Sequence, residues 1–491
     1  MKKFKKVSLN LLLILAVLYT VLLIPDPGSN NKIAQAGKKP FFWNRDNFWQ
    51  LMEENFKHAK QMPPAILDSS IQDLKNIAEN KLAVIEKENF AAGDIRLTAI
   101  ENNFFRLASF IAAKPAEVKW LAGYYNRLRV CIKTASQQWN MKDTAAKNYI
   151  YALMYGLRAA TEEVLLQTDS VTISPAMLVQ QEISATPHTV IFGIEVHSGD
   201  MLVSRGGAEV SALISRGNDY PGNFSHVALI YIDTKTNTPY LIEAHIEKGV
   251  AVSSVAQYTK DEKLRFMVLR LRRDLPIMQH DSMLPQRAAQ FMFDETLRRH
   301  FPYDFKMNFY DSSALFCSEV ASYAYKKQGV QLWQNISTIS STGVVNWLKD
   351  FGVENFVTQM PSDLEYDPQL SIVAEWRDPE TWYKDHIDNA AMDALLEQAN
   401  NGTAVGYNIW MLPVARIMKA YCWIKNRFGK TGIIPEGMNA TRALKNQTFV
   451  AMHKSVKNKT EQMAADFLKQ YGYRPPYWQL VKFAALAATA Y

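Results

Sequence analysis

The sequence predicts an α+β core set between two all-helical regions. Three observations carry this. Apolar residues recur at three- and four-residue spacings over residues 41–168, short runs rich in Val, Ile, Leu and Tyr lie between 201 and 271, and helical spacing returns after Pro379. At 491 residues, 48% hydrophobic and 21% charged, the chain has an ordinary globular composition with room for two or more packed units. The expected organisation is an export signal or membrane anchor at 1–36, a helical domain at 41–168, a linker at 169–190, the α+β unit at 191–365 and a C-terminal helical region at 366–491.

Lys2, Lys3, Lys5 and Lys6 precede an uncharged run of 18 residues from Val7 to Ile24, followed by Pro25 and a polar stretch reaching Ala34, Gln35 and Ala36. Positive charge ahead of an apolar segment is an export pattern, in which the lysines stay cytoplasmic and the body crosses the membrane. Cleaved signal and uncleaved anchor stay equally open, because the run is long for a signal core and Ala36 lies 12 residues past Ile24. The expected location is periplasmic or cell-envelope, with residues 7–24 as anchor if the leader is kept. Residues 1–40 hold seven lysines against Asp26, so the leader carries +6 of the net +7 and the body only +1. A near-neutral body excludes the basic face of a nucleic-acid binder.

In the first helical region Ile71, Leu74, Ile77, Ala78, Leu82 and Ile85 form an amphipathic stripe, with Ser70 as the expected N-cap and Asp73 three residues on. Similar stripes occupy 94–113, 116–137 and 143–166. A weakly patterned stretch rich in Thr, Ser, Pro and Gln follows and reads as a linker. Met201–Ser204, Ser225–Ile232, Tyr240–Ala244 and Phe266–Leu271 then read as strands, broken by the turn residues Gly206, Gly207, Pro221, Gly222 and Asn237 to Pro239. Helices are expected from about Leu284 to Arg299 and from about Ala314 to Lys327, the second stopped by Gly329. The last region reads as helices at 379–399, 408–428, 441–471 and 476–489.

Only three cysteines occur, Cys131, Cys317 and Cys422, too few and too far apart for a disulfide ladder or a Cys-x-x-Cys metal pair. Cys317 lies near the start of an expected helix. Such a thiol faces the positive end of the helix dipole and unpaired backbone N–H groups, which favour the thiolate and can stabilise an oxyanion. His226 opens an expected strand 91 residues earlier, and Glu243 lies on the next strand. A strand histidine can pair with the thiolate and protonate a leaving group, while a carboxylate fixes its tautomer. From spacing alone, a catalytic pair and a buried thiol beside a half-exposed histidine both remain open.

Six short pieces occur in order: GDML at 199–202, SHVALIY at 225–231, IEA at 242–244, GV at 249–250, YDFKM at 303–307 and FCSEV at 316–320. Together they resemble the permuted papain-like amidases of the YaeF/YiiX type, a circular permutation of the NlpC-type cysteine peptidases in which the strand histidine precedes the helix cysteine. The resemblance covers about 170 residues. It implies a permuted papain-like core with Cys317 as nucleophile, His226 as general base and acid, and Glu243 as the residue orienting His226. The helical flanks have no counterpart in the small members of the family.

Four neighbours are cleft candidates. His245 shares a strand face with Glu243 and competes with His226 as base. Tyr303 and Asp304 resemble the family's Tyr-Asp pair, with a turn role equally open. Asp200 is expected either in the cleft or accepting backbone hydrogen bonds in a turn, and His197 is a further neighbour. The expected function is an exported cysteine hydrolase acting on amides, cell-wall peptides foremost, with no metal or organic cofactor. An acylated small substrate of a lipid hydrolase or acyltransferase, and a non-catalytic binding module, are the alternatives.

Overall fold

After the leader, helices α1 (Arg45–Gln61), α2 (Pro64–Ile85), α3 (Ile95–Ala113), α4 (Val118–Ser136) and α5 (Thr144–Leu166) precede the sheet. They belong to a computed structural model of the chain that describes residues 13–26, 45–168, 174–376, 378–428, 430 and 432–489. The start of the leader and the Ala34 to Ala36 stretch lie outside the described residues. Helix α2 buries Leu67, Ile71, Leu74, Ala78, Leu82 and Ile85, but it begins at Pro64 rather than behind Ser70. Proline's fixed φ suits the first helical position, and Leu67 carries the stripe one turn further back, so Ser70 falls inside the helix. Helices α3 and α5 start on aspartate caps, Asp94 accepting from Arg96 N and Asp143 from Ala145 N, each at 2.9 Å.

The central sheet has seven strands in the order β1 (Ala176–Leu178), β11 (Leu370–Trp376), β8 (Lys263–Leu271), β4 (Met201–Gly206), β5 (His226–Ile232), β6 (Pro239–His245) and β7 (Gly249–Ser254), every pairing antiparallel. A separate hairpin joins β2 (His188–Ile191) to β3 (Ile194–His197), and β9 (Ser337–Thr338) pairs with β10 (Val357–Thr358). Two expected boundaries therefore move. The 169–190 stretch contributes β1 to the sheet and starts the hairpin, and the sheet draws in β11, beyond residue 365. Neither segment has the long apolar alternation that marks a strand in sequence. β1 is an edge strand of three residues, and β11 buries Ser371 and Glu375 among its apolar residues.

Alternation along the strands sends residues to two faces. Met201, Val203, Val227, Leu229, Ile242 and Ala244 share one continuous core with the N-terminal helices, α9 (Leu284–Arg298) and α10 (Cys317–Lys326). Leu202, Ala228, Ile230, Leu241 and Val268 lie on the opposite face, covered by the β2–β3 hairpin and by Tyr258 of α7 (Val255–Lys260). The short helices α6 (Glu209–Arg216), α8 (Pro276–His280) and α12 (Asp363–Tyr366) occupy connections. A further core gathers α11 (Thr342–Phe351), α13 (Pro379–Asn400), α15 (Ala440–Tyr471) and α16 (Tyr477–Ala488), while α14 (Leu412–Arg427) packs on α15 through small clusters of its own.

Buried ion pairs join these parts. Arg129 of α4 meets Glu375 of β11 at 2.7 Å, and Arg265 of β8 meets Glu162 of α5 at 2.5 Å and Asp385 of α13 at 2.7 Å. Removing one partner of such a pair would leave a buried charge uncompensated, so these contacts fix how the helical flanks sit on the sheet.

Candidate active site

Helix α10 begins at Cys317 itself, three residues later than the spacing suggests, because the preceding strand-like segment is held elsewhere: Leu315 bridges Tyr303, and Leu315 N donates to Pro302 O at 3.0 Å. Cys317 thus stands at the first helical position, with the helix dipole's positive end at its back. Glu319 Oε2 accepts from Phe316 N at 2.9 Å and closes off one of the loose donors of this helix start. Burial, reinforced by Asp304, Cys317 and Asp311, pushes the Glu319 carboxyl up to about 9 despite that hydrogen bond, so it adds no negative charge beside the thiol at neutral pH.

Helix α10 packs across β5 and β6. Cys317 Sγ reaches Ser225 O at 3.6 Å, immediately before His226 at the start of β5. Ala228 pairs with Glu243, which makes Glu243 the diagonal neighbour of His226 on the same face of the sheet. His226 Nε2 lies 2.8 Å from Glu243 Oε2, and His226 is close enough to Cys317 for the two to interact electrostatically. Burial pulls the His226 imidazole down, but the hydrogen bonds and charges of Cys317 and Glu243 outweigh it and raise the group to about 9. Burial likewise lifts Glu243, and its two histidine neighbours overcome this and hold the carboxyl well below the usual range.

His245 sits on the other side of Glu243, with Nε2 3.4 Å from Glu243 Oε1 but without the angle of a hydrogen bond, and His245 Nε2 has no hydrogen-bond partner. Its ring centroid is 6.1 Å from that of His226. Gly249, at φ +74°, lets the Phe301 carbonyl come in so close that a Cβ there would stand 2.1 Å from it, and Val250 N donates to that carbonyl at 3.0 Å. This contact brings Tyr303 beside the site, where burial and the neighbouring Cys317, Asp304, Glu319 and Glu247 drive its hydroxyl far above its ordinary range.

The structure therefore brings Cys317, His226, Glu243, His245 and Tyr303 together. Asp304 does turn work, accepting from Lys306 N at 2.8 Å and Asn308 N at 2.5 Å. Asp200 lies elsewhere: it pairs with Ile230, four residues along β5 from His226 and so roughly 13 Å away. There it is buried against Arg270, with Oδ1 2.8 Å from Nε and Oδ2 2.7 Å from Nη2. His197 shares that end of the sheet, its Nδ1 2.7 Å from Thr186 O. Sequence spacing gave no hint of Gln359. Its carbonyl accepts from Ser318 Oγ at 2.8 Å and its Oε1 from Ser322 Oγ at 2.5 Å, which ties α10 to a loop some 40 residues further on. No regular spacing marks such a loop residue. Among the described residues, no group of three or more His, Cys, Asp or Glu side chains is placed to hold a metal ion.

A thiol at a helix start, next to an imidazole held by a carboxylate, is the arrangement that thiol-dependent acyl transfer requires. Residues 195–374 match the model of the permuted papain-like amidase family described as YaeF/YiiX, C92 family. This segment is a permuted papain-like amidase domain. It is thus the domain of a cysteine hydrolase, of the peptidase and amidase class, and every strand of the central sheet except the edge strand β1 lies within or at the border of the match. A crystal structure of metalloprotein yiiX from Escherichia coli O157:H7 is similar to the chain at 22% identity, covering 37% of this chain and 97% of that one with a TM-score of 0.29. No curated protein matches the sequence. The matched residues account for the sheet apart from β1 and for α10, while helices α1–α5 and α13–α16 lie outside them.

Proposed function

We propose that the protein is an exported cysteine amidase that cleaves cell-wall peptides, with Cys317 as nucleophile, His226 as general base and acid, and Glu243 orienting the imidazole. The observation that carries this reading is the convergence of the three groups: Glu243 bonds His226, and the Cys317 sulfur lies against the carbonyl of Ser225, the residue next to His226, within electrostatic reach of the imidazole. Glu243 occupies Nε2, which leaves Nδ1 of His226 to exchange a proton with the thiol. The Cys317 sulfur attacks the carbonyl carbon of the scissile amide, and the negative charge that forms on oxygen faces the backbone N–H groups at the start of α10. Collapse of this intermediate breaks the C–N bond, and the imidazolium proton goes to the leaving amine. Water then attacks the thioester carbon, gives a proton to the same imidazole, and releases the acid and the thiol.

The basic leader with its apolar run supports export, and an exported amidase meets cell-wall peptides. Among the described residues no helix is long and apolar enough to cross a membrane. The test is hydrolysis of purified muropeptides by the wild-type chain and by Cys317→Ser, with binding followed separately. Turnover lost by about 10³-fold or more with binding retained supports the enzyme. Muropeptides bound equally by both forms and cleaved by neither would favour a binding module.

A further inference from the structure

Trp410, Val414, Ile417, Tyr421, Ile424 and Phe428 follow one another at alternating spacings of four and three residues along α14 and the turn before it, and each is between 48% and 78% exposed. An amphipathic helix ordinarily buries such a stripe. Helix α14 already has a buried face: Leu412 and Ala415 pack on Ala440 and Leu444, and Cys422 packs on Ile434 and Met438. The exposed stripe is a second apolar face, about 27 Å long at the helical rise. Residues 409–432 hold five basic side chains (Arg416, Lys419, Lys425, Arg427 and Lys430) and no acidic one.

The apolar leader ends at the head of this stripe. Residues 13–22 are helical, and Leu13, Leu15, Val17, Leu18, Val21 and Ile24 are all more than half exposed. Tyr19 Oη donates to Trp410 O at 3.0 Å, Arg416 Nη2 reaches Asp26 Oδ1 at 3.1 Å, and Thr441 Oγ1 donates to Asp26 Oδ2 at 3.0 Å. These polar contacts hold the end of the leader against α14, so that two uncovered apolar surfaces meet.

We propose that α14 is a docking face for the surface of an anionic phospholipid bilayer, lying in the plane of the interface with its apolar stripe among the upper acyl chains. An apolar face carrying Trp, Tyr and Phe on a helix that has basic but no acidic side chains of its own, with Lys425, Arg427 and Lys430 at its far end from the Arg416–Asp26 pair, is the pattern of an interfacial helix. The basic residues match anionic headgroups and would repel the same face of a second copy. An open cavity of about 480 Å³ lies between Lys419, Trp423 and Arg427 on one side and Glu247, Lys248 and His300 on the other. Glu247 follows His245 by two residues, so docking brings the bilayer surface up to the border of the amidase cleft. The proposal stands on the stripe and the leader and does not depend on the catalytic roles assigned above.

The test uses the full chain with the photocrosslinker p-benzoylphenylalanine in place of Ile417, Phe428, Leu15 or the outlying Lys469, whose side chain is 81% exposed. Each form is irradiated on vesicles of phosphatidylglycerol and phosphatidylethanolamine. Lipid adducts are expected at positions 417, 428 and 15 and not at 469. The combined changes Lys425→Glu, Arg427→Glu and Lys430→Glu should lower the yield at 417 about tenfold on these vesicles and leave it unchanged on phosphatidylcholine. Adducts at 15 alone, equal adducts at 469, crosslinks from 417 to a second copy, or no adducts at any position would each overturn the proposal.

Discussion

Glu243 Oε2 stands 2.8 Å from His226 Nε2, so one carboxylate fixes which imidazole nitrogen is left for Cys317. A positioning role of this kind lies in the tautomer and ring orientation and not in contact with substrate. Glu243→Ala should lower kcat by about 10²-fold with little change in KM, because the interaction it removes matters only while the imidazole moves a proton. Glu243→Gln retains an acceptor of the same length and should recover most of that loss. Steady-state kinetics of the two variants on muropeptides check the split; a loss confined to KM would remove the positioning role.

The raised His226 group gives a pH dependence of defined sign. With its proton held to about 9, the imidazolium needed for leaving-group protonation is present through neutral pH and is lost as pH rises through about 9. The expected pH–rate profile has its alkaline limb there. The limb should move to lower pH in Glu243→Gln, which removes the negative charge that helps to hold the proton. Folding follows the same sign: a group raised above its unfolded value of about 6.5 contributes stability below that pH and loses it as pH rises through about 9. The difference in Tm between wild type and His226→Ala should therefore shrink between pH 7 and pH 10.

Local pattern made much of this legible. The α+β class followed from spacing that changes from three and four to two and back, and Cys317, His226 and Glu243 drew attention because each sits in a short motif at the start or middle of a regular element. What spacing could not supply was partnership across the chain. Asp200 was open between the cleft and a turn, and the structure places it in the turn, accepting from His197 N and paired with Arg270, seventy residues on; the registers of Met201 with Leu229 and Leu269 set both away from His226. The start of α2 at Pro64 was hidden because Ser70 and Asp73 imitate a capping signal inside a helix. β11 was hidden because it buries Ser371 and Glu375, whose partners Glu182 and Arg129 are nearly two hundred residues away or more.

That displacement of Asp200 is itself testable. Its two oxygens satisfy Arg270 and its Oδ2 also accepts from His197 N at 2.7 Å, all buried. Asp200→Ala would leave the Arg270 guanidinium buried without its counter-charge, a loss of about 3–5 kcal/mol. Chemical denaturation should show this loss, while kcat per folded molecule stays within about twofold of wild type. A large fall in kcat with stability unchanged would return Asp200 to the cleft.

Glu319 gives a pH dependence of the same sign, but here the substitution should stabilise. Its carboxyl, raised from 4.5 to about 9 chiefly by burial, stays protonated in the folded protein and ionises in the unfolded chain above pH 4.5. Stability is therefore drained as pH climbs from about 4.5 to about 9 and levels off beyond, because the unfolded state sheds a proton that the folded state keeps. Glu319→Gln keeps an oxygen to accept from Phe316 N and has no proton to lose. The variant should match wild type near pH 4.5 and exceed it in denaturant midpoint at pH 8 to 9, with activity at pH 7 close to unchanged because the residue it replaces is already neutral there. A denaturant midpoint that falls at every pH would mean instead that Glu319 is ionised beside Cys317, and the neutral environment argued for the thiol would have to be abandoned.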